Sequence, residues 1–103
     1  DAAREIDTEV VIATKTVTAA RTRVALADKA IFVAEENVKM EKQNFLAARS
    51  DNFRLMERQT QLIQARLQRG RAVTEYHTAV AQMQKLSGLL LEQYEVDVRP
   101  RGR

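Results

Sequence analysis

The chain has 103 residues, a formal net charge of +3, 30% charged residues of both signs, one histidine and no cysteine. This excludes a disulfide framework and a thiolate metal site, and a lone histidine cannot supply the several convergent ligands of a zinc centre. With 5% aromatics, three glycines and one proline, the composition suits long helices or a coiled coil.

No run approaches the ~18 consecutive apolar residues of a membrane-spanning helix, and no signal peptide is visible. The chain begins at Asp1 without a methionine, so a mature product or an excised piece is expected.

The first element is expected as a helix over residues 5–47, a run with no glycine or proline. At ~1.5 Å per residue it would extend roughly 65 Å. Val10, Val17, Val24, Ile31, Val38 and Phe45 recur every seven residues, and Ala13, Ala20, Ala27 and Ala34 lie three residues further on. This is a 3-4 repeat sustained over about five heptads, with β-branched residues at one core position and alanine at the other. Alanine at a repeated seam position lets a second helix approach closely. A lone helix so rich in valine and threonine is not held by propensity, so it requires that neighbour.

The same helix carries a second series, Ile12, Ala19, Leu26, Val33, Met40 and Ala47, two positions after the first. That offset is about 200° around the helix, so the two stripes face different directions. Between its members fall Thr16, Arg23, Ala30 and Asn37, mostly small or polar. A helix with two apolar stripes calls for a neighbour on each side. An isolated two-helix hairpin would leave one stripe per helix in water. A wide stripe in an ordinary four-helix bundle is the plainer alternative.

Beyond Phe45 the repeat changes phase by three residues, at Arg49-Ser50-Asp51-Asn52, a cluster of turn-favouring residues. A continuous helix with a three-residue stammer is one explanation. A turn over residues 48–52, with Ser50 or Asp51 capping a second, antiparallel helix, is the favoured one, because a stammer does not call for a Ser-Asp-Asn triplet.

The second helix is expected over residues 53–86. Leu55, Leu62, Arg69, Tyr76, Met83 and Leu90 form one seam series, with Arg58, Ala65, Ala72, Ala79 and Leu86 between them. A weaker second stripe follows Met56, Ile63, Gly70 and His77, with Val73 and Val80 nearby. Gly70 reads as a point of close helix approach, since no glycine-rich loop surrounds it. Ser87-Gly88 is a plausible C-terminal stop. A short segment over residues 88–98 follows, in which Glu95-Val96-Asp97-Val98 alternates as a strand would. Residues 99–103 form a basic tail, read as a solvated, disordered end rather than a nucleic-acid-binding arm.

No catalytic constellation emerges. His77 has only Glu75 near it in sequence, Ser50 and Asp51 do not make a triad with so distant a histidine, and Glu35 with Lys39 reads as a solvated helix pair. Tyr76 and Tyr94 are packing residues by default. No enzymatic activity, cofactor or metal is expected. Nucleic-acid binding is disfavoured, because lysine and arginine are spread along both helices and aromatics for stacking are scarce.

Several segments together resemble the outer-membrane efflux protein (TolC-like) family. They are Asn44-Phe45-Leu46-Ala47-Ala48-Arg49-Ser50-Asp51-Asn52-Phe53, Leu62 with Ala65-Arg66, Tyr76 with Ala79, and Leu86-Ser87-Gly88. Upstream, Arg23-Val24 with Ala27, and Ala34-Glu35-Glu36-Asn37-Val38, look like that family's long descending helix. The likeness covers roughly residues 5 to 91. Each motif is short and alanine-rich, and the order and spacing carry it. Where the family has a turn glycine this chain has Ala48, where a threonine is common it has Asp51, and where an aspartate is common it has Arg54.

The resemblance implies an all-α hairpin that is one segment of a trimeric periplasmic α-barrel beneath an outer-membrane β-barrel. It implies a homotrimer in the full-length protein, a periplasmic adaptor protein and an inner-membrane transporter as partners, and membrane contact only through the β-barrel part missing here. The tip residues Arg49, Ser50, Asp51 and Asn52 would then face the adaptor. The alternatives are a periplasmic adaptor hairpin, which should carry one main seam and β-rich flanks, and a purely structural coiled coil.

Overall fold

A computed structural model describes residues 2–98 of the chain. It has two elements, α1 (Ala2–Leu46) and α2 (Asn52–Val98), joined by a tight turn. The chain is therefore an all-α helical hairpin, and the phase break at Arg49–Asn52 is a turn rather than a stammer.

Contacts group the hairpin into two units. The first joins residues up to Arg21 with those from Glu75 onward. At its centre Val17, Ala20 and Ala79 are buried together, and Tyr76, Val80 and Met83 pack around them. Ala13 and Leu86 are buried in the same unit. Tyr76 contributes its ring at the seam and also tilts against His77, with ring centroids 5.8 Å apart.

The second unit, Thr22–Thr74, contains the turn. Ala27, Ala34, Val38 and Ala72 are buried there, and Val24, Ile31, Leu55, Leu62 and Ala65 are half-buried. Across the pair run three ion pairs with the acid on α1 and the arginine on α2: Asp28–Arg69 at 2.5 Å, Glu35–Arg66 at 3.8 Å and Glu41–Arg58 at 3.8 Å. The pairing is antiparallel, since residues further from the turn on α1 meet residues further from it on α2. Glu35 thus binds across to Arg66, not along its own helix to Lys39.

In both units the core is the first seam. Each of Val10, Ala13, Val17, Ala20, Val24, Ala27, Ile31, Ala34 and Val38 is buried or half-buried. Alanine at every second seam position keeps the two backbones close, so small side chains suffice to exclude water.

The structure corrects four expectations. Helix α2 does not stop at Leu86: it runs through Ser87 and Gly88 to Val98, and Glu95–Val98 is helical rather than a strand. A helix-terminating glycine acts through a left-handed conformation, and Gly88 does not adopt one. The seam continues in phase across it, with Met83, Leu86, Leu90 and Gln93 at least half-buried. Burial along that line outweighs the ~1 kcal/mol that a helical glycine costs relative to alanine. Gly70 is not a point of close approach within the hairpin, because a Cβ built there meets nothing within 4 Å. Helix α1 begins at Ala2, earlier than residue 5. The basic tail, residues 99–103, lies outside the described residues.

Candidate functional site: the turn and the exposed stripe

The turn is assembled by local hydrogen bonds. Helix α1 ends in a Schellman arrangement: Arg49 N–H donates to the Asn44 carbonyl at 2.7 Å and Ala48 N–H to the Phe45 carbonyl at 3.1 Å. Ala48 occupies the left-handed position of that motif, with φ of 57°. Here the chain has alanine in a conformation that normally favours glycine.

Asp51 begins α2. Its Oδ1 accepts the Arg54 N–H at 2.9 Å, three residues on, and its carbonyl accepts the first helical bond from Leu55. This is an N-cap, satisfying a donor that the first turn of a helix otherwise leaves unpaired. Ser50, the other candidate cap, turns inward instead. Its hydroxyl donates to Glu41 Oε2 at 2.7 Å, and the same carboxylate faces Arg58.

The four turn residues therefore divide. Ser50 and Asp51 spend their polar atoms on the fold. Arg49 and Asn52 are exposed, the latter directing its amide at the sulfur of Met56. Two apolar side chains flank them, Leu46 at 84% exposure and Phe53 at 74%. The tip thus presents two apolar side chains beside Arg49 and Arg54. Leu46 was not singled out by sequence reasoning, since it falls off both seam series.

The second feature is the outer stripe of α1. Ile12 and Leu26 are each 58% exposed, and Val33 and Met40 each 56%. Seam residues next to them in sequence, Ala27 and Ala34, are 8% exposed. The contrast is a property of phase: each residue is turned about 100° around the helix from the one before it, which carries the stripe away from the seam. On α2 the weaker stripe behaves likewise, with Met56 at 57% and Ile63 at 56%. Val73 and Val80, by contrast, are half-buried beside the seam.

Threonines on these helices are quenched locally. Thr16, which lies within the outer stripe, donates its hydroxyl to the Ile12 carbonyl at 3.0 Å, and Thr8, Thr14, Thr18, Thr60 and Thr74 each bond back to the carbonyl four residues earlier. A hydroxyl satisfied by its own helix can be covered by a neighbour without leaving an unpaired donor.

Among the described residues, no three histidine, cysteine or acidic side chains group as a metal site would require. No helix among them is long and apolar enough to cross a membrane. His77 is exposed at the side of Tyr76.

One polar residue escaped sequence reasoning. Glu41 continues the alanine series Ala13, Ala20, Ala27, Ala34 by one further heptad step, so it stands where the repeat calls for a small apolar side chain. Extending the series once more would have found it. Its side chain is only 14% exposed.

No model of a known family, no characterised protein and no solved structure matches this chain.

Proposed function

We propose that this hairpin is a wall segment of a trimeric outer-membrane efflux channel, one descending and one returning helix of its periplasmic α-barrel. The observation that carries the reading is the exposed stripe on α1, where Leu26, Val33 and Met40 recur on a helix whose other stripe is already satisfied by α2. A regularly spaced apolar line of this kind fits a second helical neighbour on each stave. Thr16, the threonine within that stripe, bonds to its own helix, so its hydroxyl can be covered by a neighbour without being left unpaired. The order of the sequence motifs around the turn supports the assignment to a channel of this type.

In this reading the segment works passively. It lines and encloses a conduit through which substrate driven by an energised inner-membrane transporter passes, and its tip meets a periplasmic adaptor. Arg49 and Asn52, with Leu46 and Phe53 beside them, are the side chains available to that partner. Ser50 and Asp51 act through the shape of the turn.

The test is made on the full-length gene product in its own cell. It is expected in the outer-membrane fraction, and chemical cross-linking in intact cells is expected to trap it as a trimer. Recovery with the inner membrane, or lipoyl-like β segments flanking the hairpin, overturns the channel in favour of an adaptor.

A further inference from the structure

We propose that Glu41, Ser50 and Arg58 form a register key, a polar lock that selects which pairing of α1 with α2 the chain adopts and hence where it turns. The seam alone is ambiguous on this point. Ala27 and Ala34 on α1, and Ala65 and Ala72 on α2, recur every seven residues, so sliding one helix past the other by a heptad sets alanine against alanine again. At the alternate positions of α2 the apolar Leu55, Leu62, Met83 and Leu90 survive the same slide, and only Arg69 and Tyr76 interrupt the series. An apolar repeat with a fixed period holds two helices together without saying which turn meets which.

Glu41 breaks that degeneracy. It occupies a seam position, is largely buried, and has its carboxylate taken up from two sides, by the Ser50 hydroxyl at 2.7 Å and by Arg58 Nε at 3.8 Å. Arg58 is itself a seam position of α2, the step before Ala65. A slide of seven residues in one direction places Glu41 opposite Ala65, with its charge in an apolar seam. A slide in the other places it opposite Asp51, a like charge, and leaves Arg58 opposite Ala34. Either alternative strands the Glu41 carboxylate, and stranding a largely buried charge is far more adverse than forming the pair is favourable, whereas Arg58, at 41% exposure, keeps access to solvent. Asp28–Arg69 and Glu35–Arg66 agree with the same pairing, but they are about half-exposed and solvent weakens their vote.

A register key has a signature that a stabilising contact lacks. Replacing both charges by leucine, in E41L/R58L, leaves an apolar pair at the seam, which is no less favourable than an ion pair taken out of water. Helicity and melting temperature are therefore expected to be retained while the single register is lost. The chain has no cysteine, so register can be read by disulfide formation on the monomer band. Cysteines at Glu35 and Arg66 report the observed pairing. Cysteines at Glu35 with Val73, and at Glu35 with Gln59, report slides of one heptad in either direction.

With Glu41 and Arg58 intact, the 35–66 bond is expected as the sole product. In E41L/R58L it is expected to lose that exclusivity, with 35–73 or 35–59 forming at comparable yield. The exchanged pair E41R/R58E is expected to restore 35–66 alone. Exclusive 35–66 linkage in E41L/R58L overturns the proposal. So does loss of helix in that variant, which would make the network a source of stability instead, and so does a failure of the exchanged pair to restore the register.

Discussion

Replacing Ala48 by glycine is expected to stabilise the hairpin, although glycine elsewhere in these helices weakens it. Ala48 has φ of 57° and provides the left-handed residue of the motif that ends α1. An L-residue with a Cβ pays roughly 1–2 kcal/mol to sit there. Glycine relieves that strain and gives back about 0.4–1 kcal/mol through the greater freedom of the unfolded chain. The net gain is about 0.5–1 kcal/mol, and for a chain of this size it corresponds to a rise of a few degrees in melting temperature.

Ala25→Gly is the matched control, because Ala25 is exposed and lies inside α1. That change is expected to destabilise by about 0.5–1 kcal/mol. Urea titrations followed by far-ultraviolet circular dichroism compare the two against the parent chain. Opposite signs are the expected result. An A48G chain no more stable than the parent, or as weakened as A25G, would refute the left-handed turn and the end of α1 derived from it.

Three further substitutions separate the roles assigned above. Asp51→Ala removes the cap on Arg54 N–H and is expected to lower stability by about 1 kcal/mol in the same titration, whereas Asp51→Ser should recover most of it. Gly70→Ala is expected to raise stability by about 1 kcal/mol, since the added methyl meets open space in a helical position; a loss there would reveal a contact that the hairpin does not show. Leu26→Asp, on the exposed stripe, is expected to change the thermal midpoint by no more than about 0.5 kcal/mol in equivalent stability, whereas Ala27→Asp, one residue further and buried, is expected to lose several times that, and equal effects would remove the distinction between stripe and seam.

Much of this architecture was legible because it rests on period. The valines and alanines from Val10 to Val38 name the buried face of α1 without reference to any partner, since a seven-residue spacing returns each side chain to nearly the same direction. The phase shift across Arg49–Asn52 located the turn for the same reason. Signals read from single residues fared less well. Ser87-Gly88 looked like a stop and Gly70 like a contact, because both inferences assigned to glycine a local meaning that its surroundings withheld.

The sequence by itself determined two helices, their turn, the face each turns to the other, and a second apolar stripe on α1. Those are consequences of spacing, and spacing is fully written in the chain. Tertiary structure decided which of Ser50 and Asp51 caps α2, since Ser50 is drawn to a carboxylate nine residues earlier. It decided that Ala48 is left-handed, that α2 continues beyond Gly88 because the seam is still being buried there, and that Glu41 meets Arg58. Each of these depends on what stands across the seam, and a heptad repeat, being the same every seven residues, holds no record of which residue that is.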